Sequence, residues 1–155
     1  MGSYRLTWRA LAGGHLAIGH KPGRDLRAAL AESGCTHVLS LLAEHEGASA
    51  AIGTPLRLPL ATAEPPPAGR SPEIRALFAE LQALLAGGAR IYIHCSAGLH
   101  RTGLITRALL RFLGPSRPGA LARLAELREA TAEAATEPRL QWGEQFAGPD
   151  APTGG

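Results

Sequence analysis

The sequence predicts an α/β fold with a short, largely parallel central sheet of about four to five strands and helices on both faces. Short apolar segments alternate with helical patterns over most of the chain. One of them, residues 36–42 (THVLSLL), is mainly apolar with β-branched residues and is bounded by turn residues, which fits a buried central strand. The last third of the chain is a run of helical patterns, which favours helices packed against a sheet.

The predicted elements follow from local signals along the chain. Ser71 is predicted as the N-cap of a helix with Pro72 in its first turn, and Gly87-Gly88 ends that helix. Residues 61–70 are Pro-rich and are predicted to be irregular. The predicted strands are residues 4–10 (an edge strand or an ordered segment), 15–19, 36–42, 54–60 and 90–94, and the predicted helices are residues 25–32, 71–86, 102–113, 118–134 and a short one from Pro138.

The length of 155 residues predicts one domain, residues 1–148, followed by a flexible tail at 149–155. Hydrophobic residues make up 45% of the chain and aromatics 5%, so the core must be mainly aliphatic. The net charge is +3, which favours anionic substrates. The arginines are dispersed, and no basic run argues a nucleic-acid site.

The cysteine and histidine content limits the classes of protein that fit. Two cysteines are too few for a disulfide framework, and six scattered histidines show no metal-ligand spacing. No segment resembles a signal peptide or reaches membrane-spanning length. We therefore expect a cytoplasmic monomer without metal, cofactor or membrane contact.

The segment IYIHCSAGLHRTG at residues 91–103 carries the chemistry. It predicts a strand, a loop of small residues that begins at His94-Cys95, and a helix that begins near Thr102. Loops of this kind turn successive backbone N–H groups inward, and the helix dipole adds partial positive charge. The sequence therefore predicts an anion site that also holds a thiol.

Each residue type in the segment suits phosphoryl transfer. A cysteine is nucleophilic as the thiolate, and Arg101 offers a planar fork of donors that matches two phosphate oxygens. Thr102 can donate a hydrogen bond to the sulfur, and His94 can fix the loop geometry. The predicted mechanism is attack of Cys95 on phosphorus, formation of a cysteinyl-phosphate and hydrolysis by water. The predicted phosphate-binding residues are Ser96, Ala97, Gly98, Leu99, His100 and Arg101.

The segment resembles the signature of the cysteine-based protein tyrosine and dual-specificity phosphatases, His-Cys-x5-Arg-(Ser/Thr)-Gly. The stretch GCTHVLSLL, the Leu58-Pro59-Leu60 strand and the helix before the signature also follow the order seen in the small, atypical dual-specificity members. The resemblance implies a dual-specificity phosphatase-like fold. It also implies a hydrolase that acts on a phosphorylated substrate, either a phosphoprotein or a small phosphomonoester.

The general acid departs from the family pattern. The resemblance implies an Asp on the loop after the Leu-Pro strand, but the only aspartates are Asp25 and Asp150. Glu64 is the one carboxylate in that neighbourhood, and we take it as the candidate acid. The other interpretation is that no protein acid exists and that substrates with good leaving groups are used.

Other interpretations stay open at this point. A pseudophosphatase that binds phosphate without turnover fits the missing Asp, and phosphorylated RNA ends, nucleotides or small molecules fit as substrates.

Several residues outside the signature are further candidates. His100 either faces the pocket mouth or is a surface residue, and His45 and Glu46 border the pocket if their connection lies at the same sheet edge. Cys35 is predicted to be a core residue. Gln141 or Gln145 is a candidate for positioning water, and Trp142 and Phe146 are predicted core anchors.

Overall fold

A computed structural model of the chain describes residues 6–47 and 52–148. The strands are β1 (Arg9–Leu11), β2 (Gly14–Gly19), β3 (His37–Ser40), β4 (Thr54–Arg57) and β5 (Arg90–His94). The helices are α1 (Arg24–Glu32), α2 (Ser71–Ala86), α3 (His100–Phe112), α4 (Arg117–Leu127), α5 (Glu129–Glu133) and α6 (Glu137–Gly143). Short 3-10 turns cover Glu44–Glu46, Ala68–Arg70 and Glu144–Phe146.

The sheet brings three loops to one edge. Its strand order is β1-β2-β5-β3-β4; β1 is antiparallel to β2, and the remaining pairs are parallel. In this register Gly19 and Ser40, the last residues of β2 and β3, both pair with His94 at the end of β5. The loop that follows His94 therefore leaves the sheet between the loops that follow its two neighbours.

Side chains on the two faces of the sheet pack against different helices, as the alternation of a strand requires. Ile91 and Ile93 of β5 lie in a core formed with α2, α3 and α4. Tyr92, between them in sequence, lies in a second cluster with Leu26 and Leu30 of α1. The predicted α/β fold, with a largely parallel sheet and helices on both faces, is therefore confirmed.

Several predicted boundaries are wrong in informative ways. The predicted helix 118–134 is interrupted at Arg128, whose φ of −165° and ψ of 110° are extended, so that α4 and α5 are separate helices. The predicted strand 54–60 ends at Arg57, the helix expected from Thr102 begins at His100, and a 3-10 turn lies inside the Pro-rich segment.

Ser71 is not the N-cap of α2. It is the first helical residue, and Arg70 occupies the N-cap position without a side-chain cap. The Ser71 hydroxyl instead donates a hydrogen bond to Gln145 Oε1 of the C-terminal segment at 2.8 Å. The predicted tail at 149–155 lies outside the described residues, and no helix in the described part is long and apolar enough to cross a membrane.

Phe146 anchors the C-terminal segment to the core. It is fully buried, and its ring lies 5.1 Å from that of Phe78 and 4.9 Å from that of Trp142, both in edge-on geometry. The sequence-based prediction that Phe146 is a core anchor is confirmed. Trp142 is a partly buried neighbour of the same cluster.

We expect Phe146→Ala to lower the free energy of unfolding by about 3–5 kcal/mol, because it removes a buried ring and leaves a cavity. Urea denaturation monitored by circular dichroism measures the change. The matched control is Leu121→Ala, since Leu121 is 38% exposed and its truncation should cost at most about 0.5 kcal/mol. Equal losses in the two variants would show that Phe146 does not anchor the core.

Candidate active site

The loop at residues 95–99 joins β5 to α3 and holds the candidate nucleophile. Cys95 is 3% exposed, and the buried Thr102 in the first turn of α3 donates a hydrogen bond from Oγ1 to Cys95 Sγ at 3.0 Å. The contact that the sequence spacing suggests is therefore present. It places a hydroxyl donor on the sulfur from the helix side of the loop.

The carbonyl oxygens of Cys95 and Ser96 accept hydrogen bonds from groups outside the loop. His94 is fully buried, and its Nδ1 lies 3.0 Å from the Cys95 carbonyl oxygen. Burial lowers the pKa of His94, so the ring is neutral and a proton on Nδ1 donates to that oxygen. The Ser96 carbonyl accepts a hydrogen bond from the backbone N–H of Lys21 at 2.9 Å.

The carbonyl oxygens of Ala97 and Gly98 accept hydrogen bonds from side chains at the junction between α4 and α5. Arg128 Nη1 donates to the carbonyl oxygens of Ala97 at 3.3 Å and of Gly98 at 2.9 Å. Thr131 Oγ1 donates to the Gly98 carbonyl at 2.6 Å. The sequence analysis missed both residues, because nothing in a helical pattern marks a side chain that bonds a distant carbonyl.

These contacts determine where the loop N–H groups point. The peptide bonds of the described residues are trans, so each planar unit directs its C=O and its N–H to opposite sides. Donors outside the loop hold the carbonyls of residues 95–98 outward. The N–H groups of residues 96–99 consequently face the interior of the loop, an arrangement that suits an anionic ligand.

Gly98 is required by a close approach of two loops. Its φ is +74°, and a Cβ on it would lie 2.3 Å from Gly19 C and 2.6 Å from His20 N. Any side chain at position 98 would therefore collide with the backbone after β2. The contact locks the loop at residues 95–99 against its neighbour at the sheet edge.

Arg101 is held by Glu46. Its Nη1 and Nη2 donate to the two carboxylate oxygens of Glu46 at 2.5 and 2.9 Å, and Nη1 also donates to the Leu60 carbonyl at 3.0 Å. The guanidinium has five N–H donors, so Nε and one hydrogen of Nη2, on the adjacent edge, are not bonded to Glu46 or Leu60. That edge is a parallel pair of donors suited to two oxygens of one phosphate.

The ion pair fixes the charge of Glu46. Hydrogen bonds from Arg101, and next from the Ala43 N–H, lower the pKa of Glu46 to about 2. The same pair raises the pKa of Arg101. Glu46 is therefore an ionised acceptor that positions Arg101. The sequence placed Glu46 near the pocket without identifying this partner.

Glu64 and His100, whose roles the sequence left open, both lie at the surface. The Glu64 carboxylate is 75% exposed, with Oε1 3.8 Å from Arg139 Nη2. Arg139 Nε also donates to the Ala63 carbonyl at 3.0 Å, so α6 holds the loop that carries Glu64. His100 is an exposed residue in the first turn of α3.

The remaining candidates have other partners. The side-chain oxygen of Gln145 accepts from Ser71 and its nitrogen donates to the Trp142 carbonyl, so its amide is occupied within the C-terminal segment. Gln141 is exposed. Cys35 is half-buried, its thiol donates to the His37 carbonyl, and burial raises its pKa, which makes it an unreactive thiol in the second core cluster.

The sequence and the fold both match known phosphatases. The model of the tyrosine phosphatase family matches residues 61–122, a segment that contains Glu64 and the whole loop from Cys95 to Arg101. This match agrees with the resemblance of residues 94–103 to the signature of the cysteine-based phosphatases. The family match also bears out the expectation of a phosphatase-type enzyme. No curated protein matches the sequence.

Solved structures of phosphatases share the fold. Kinase associated phosphatase, with its catalytic site cysteine replaced by serine, is 18% identical over 92% of this chain and 93% of its own, with a TM-score of 0.72. DUSP15 is 22% identical over 91% of this chain and 86% of its own, with a TM-score of 0.66. PTPMT1 in complex with PI(5)P is 19% identical over 84% of this chain and 89% of its own, with a TM-score of 0.64.

The Glu46–Arg101 pair predicts a pH-dependent contribution to stability. The pKa of Glu46 is lower in the folded state than the ordinary value of 4.5. Its contribution is therefore complete above that value and is lost as the pH falls toward about 2. We expect Glu46→Gln to be less stable than the native protein at neutral pH, with the difference in unfolding free energy disappearing in that acid range.

Urea denaturation of both proteins from acid to neutral pH measures the difference. Glu44→Gln is the matched control, because it removes a carboxylate from the same turn whose side chain has no partner among the described residues. A stability difference for Glu46→Gln that persists unchanged to the lowest pH would contradict the assignment.

Proposed function

We propose that this protein hydrolyses phosphomonoesters through a cysteinyl-phosphate intermediate on Cys95. The observation that carries the proposal is the set of contacts around Cys95: donors outside the loop hold the carbonyls of residues 95–98, and Thr102 donates to the sulfur. Arg101, at the end of the same loop, keeps one edge of its guanidinium unbonded to Glu46 and Leu60. The N–H groups of Ser96 to Arg101 bind the phosphoryl oxygens, and Arg101 binds two of them through Nε and Nη2.

The first step transfers the phosphoryl group to sulfur. The Cys95 thiolate attacks phosphorus, an S–P bond forms, and the bond from phosphorus to the leaving oxygen breaks. The leaving oxygen takes up one proton and departs as an alcohol or phenol. The ring of His94 stays neutral and keeps the Cys95 carbonyl outward during this step.

The second step releases phosphate. A water molecule attacks phosphorus, the S–P bond breaks, and its electron pair returns to the sulfur. The hydrogen bond from Thr102 Oγ1 stabilises the departing thiolate. The water gives up a proton to the group that protonated the leaving oxygen, and inorganic phosphate leaves the loop.

Glu64 is our candidate for that proton-transfer group. Glu46 is unsuited to the role because it is ionised and both of its carboxylate oxygens are bonded to Arg101. Glu64 lies on the segment that begins at Leu60, whose carbonyl accepts from Arg101, so the base of this segment lies at the site. Its carboxylate is exposed and beside Arg139, and it must approach the leaving oxygen when substrate is bound.

The substrate class is a phosphomonoester on a protein or on a small molecule. PTPMT1, which shares the fold, is known in complex with PI(5)P, and this supports including phosphorylated lipids among the candidate small molecules. A monomeric, cytoplasmic protein without cofactor remains our expectation for the context in which it acts.

A second candidate function is phosphate recognition without useful turnover. The exposed position of Glu64, on a loop that lacks an Asp, favours it. In that case the loop and Arg101 bind a phosphorylated ligand, and the leaving group is never protonated.

Replacement of the nucleophile separates the two functions. We expect Cys95→Ser to reduce hydrolysis of p-nitrophenyl phosphate to background, because a neutral hydroxyl does not replace the thiolate, while tungstate binding measured by calorimetry persists. Cys35→Ser is the matched control and should retain full turnover. Tungstate binding with no turnover in the native protein would establish the recognition function and exclude hydrolysis.

The role of Glu64 predicts a dependence on the leaving group. We expect Glu64→Gln to lower kcat for phenyl phosphate by about 10²–10⁴-fold, the usual contribution of a general acid, and to change kcat much less for 2,4-dinitrophenyl phosphate, whose leaving group needs no proton. Glu80→Gln, an exposed carboxylate on α2, is the control. Equal rates for native protein and Glu64→Gln with phenyl phosphate would remove Glu64 from the mechanism.

A further inference from the structure

We infer that Arg128 and Thr131 are positioning residues of the phosphate loop, which set the direction of the N–H groups of Gly98 and Leu99. The inference rests on the proposed function, because it assigns those N–H groups to phosphate binding. Neither residue belongs to the signature that identifies the loop. Both lie about thirty positions further along the chain, at the junction of α4 and α5.

The contacts form a compact cluster behind the loop. Thr131 is fully buried, and its hydroxyl donates to the Gly98 carbonyl at 2.6 Å. Its Cγ2 methyl packs on Gly103 in the first turn of α3, where a Cβ would lie at 3.3 Å. Arg128 Nη1 lies 2.9 Å from the same carbonyl, 3.3 Å from that of Ala97 and 3.3 Å from Thr131 Oγ1.

Each of these carbonyls belongs to a peptide unit whose N–H is on the next residue. The Ala97 carbonyl is joined to the Gly98 N–H, and the Gly98 carbonyl to the Leu99 N–H. Because the unit is planar and trans, a donor that holds the carbonyl outward turns the N–H inward. A donor that is charged also polarises the peptide, which strengthens the N–H as a donor on the other side.

The local backbone is consistent with this role. The backbone leaves the helical conformation at Arg128, whose N–H makes the last hydrogen bond of α4, to the Leu124 carbonyl at 3.0 Å. Thr131 follows in α5 and accepts from the same Arg128 Nη1. Arg128 also lines a cleft of about 640 Å³ together with Gly19, His20 and Glu129.

Among the groups outside the loop that donate hydrogen bonds to its carbonyl oxygens, Arg128 and Thr131 are the ones that a side-chain substitution can remove without changing the backbone or the signature. The Ser96 carbonyl is bonded by a backbone N–H, which no side-chain change removes. The Cys95 carbonyl is bonded by His94, which belongs to the signature itself. Thr131→Val keeps the shape of the side chain and deletes only the hydroxyl, and Thr131→Ser keeps the hydroxyl. Arg128→Met keeps much of the stem and deletes the guanidinium.

The experiment measures oxyanion affinity and folding stability in the same set of proteins. Tungstate binding is measured by calorimetry, vanadate inhibition with p-nitrophenyl phosphate as substrate, and unfolding with urea. We expect Thr131→Val to raise the dissociation constant for tungstate about three- to tenfold, the worth of one hydrogen bond, and Arg128→Met to raise it at least as much. Thr131→Ser should restore the affinity to within about twofold of the native protein.

Arg123→Met is the matched control. Arg123 is an exposed arginine of α4 that pairs with Glu126 at 3.8 Å and makes no contact with the loop. Its replacement should leave tungstate affinity unchanged. A purely structural role for Arg128 and Thr131 predicts a lower urea midpoint with unchanged tungstate and vanadate constants in the folded variants, and that result would overturn the inference.

Failure of the inference is distinguishable from failure of the proposed function. If the native protein binds tungstate and Thr131→Val binds it equally well, the positioning role is wrong and the proposed function stands. If the native protein neither binds tungstate nor hydrolyses an aryl phosphate, both are wrong. If Thr131→Val and Arg128→Met lose affinity, Thr131→Ser keeps it and Arg123→Met is neutral, the positioning role is established.

Discussion

The carbonyl groups of Cys95, Ser96, Ala97 and Gly98 impose the constraint on which the site depends. A loop that turns its N–H groups toward an anion must leave its carbonyls pointing outward, and backbone carbonyls buried without a donor are costly. The donors come from β5, from the segment after β2 and from the α4–α5 junction. The conformation of the loop is therefore a property of the whole domain.

The arginines of α3 also depend on partners from distant segments, in this case acidic residues that form ion pairs with them. At the start of the helix, Arg101 is paired with Glu46 from the connection after β3. In its second half, the nearly buried Arg107 and Arg111 meet Glu144 at 2.7 and 2.9 Å. A buried arginine without a partner would be strongly destabilising, so these acids allow a helix this basic to lie in the core.

The sequence was sufficient for the features that local chemistry encodes. Strand β5 and the Cys95–Thr102 contact follow from residues that are neighbours in the chain, and the order of strands and helices predicts the parallel sheet. The Glu46–Arg101 pair and the contacts of Arg128 and Thr131 join residues 30 to 55 positions apart. A hydrogen bond of that kind depends on packing distances that hydrophobic periodicity does not specify.

The errors have the same origin. The helical pattern of residues 118–134 is continuous in sequence, but the backbone opens at Arg128, where the guanidinium bonds two loop carbonyls. Serine is a residue type favoured at N-caps, but the hydroxyl of Ser71 donates a hydrogen bond to Gln145 of the C-terminal segment instead. In both places a tertiary hydrogen bond replaced the local interaction that the propensity describes.

The outward carbonyls also link the proposed anion binding to folding. Donors from residues 21 to 131 must all be in place before the loop adopts its shape, so the unfolded chain has no equivalent site. A ligand that binds only the native state stabilises it in proportion to the logarithm of its concentration over its dissociation constant. If the loop binds phosphate as proposed, inorganic phosphate, the product of the proposed reaction, would also stabilise the fold. An oxyanion should protect the domain from unfolding and proteolysis as a whole.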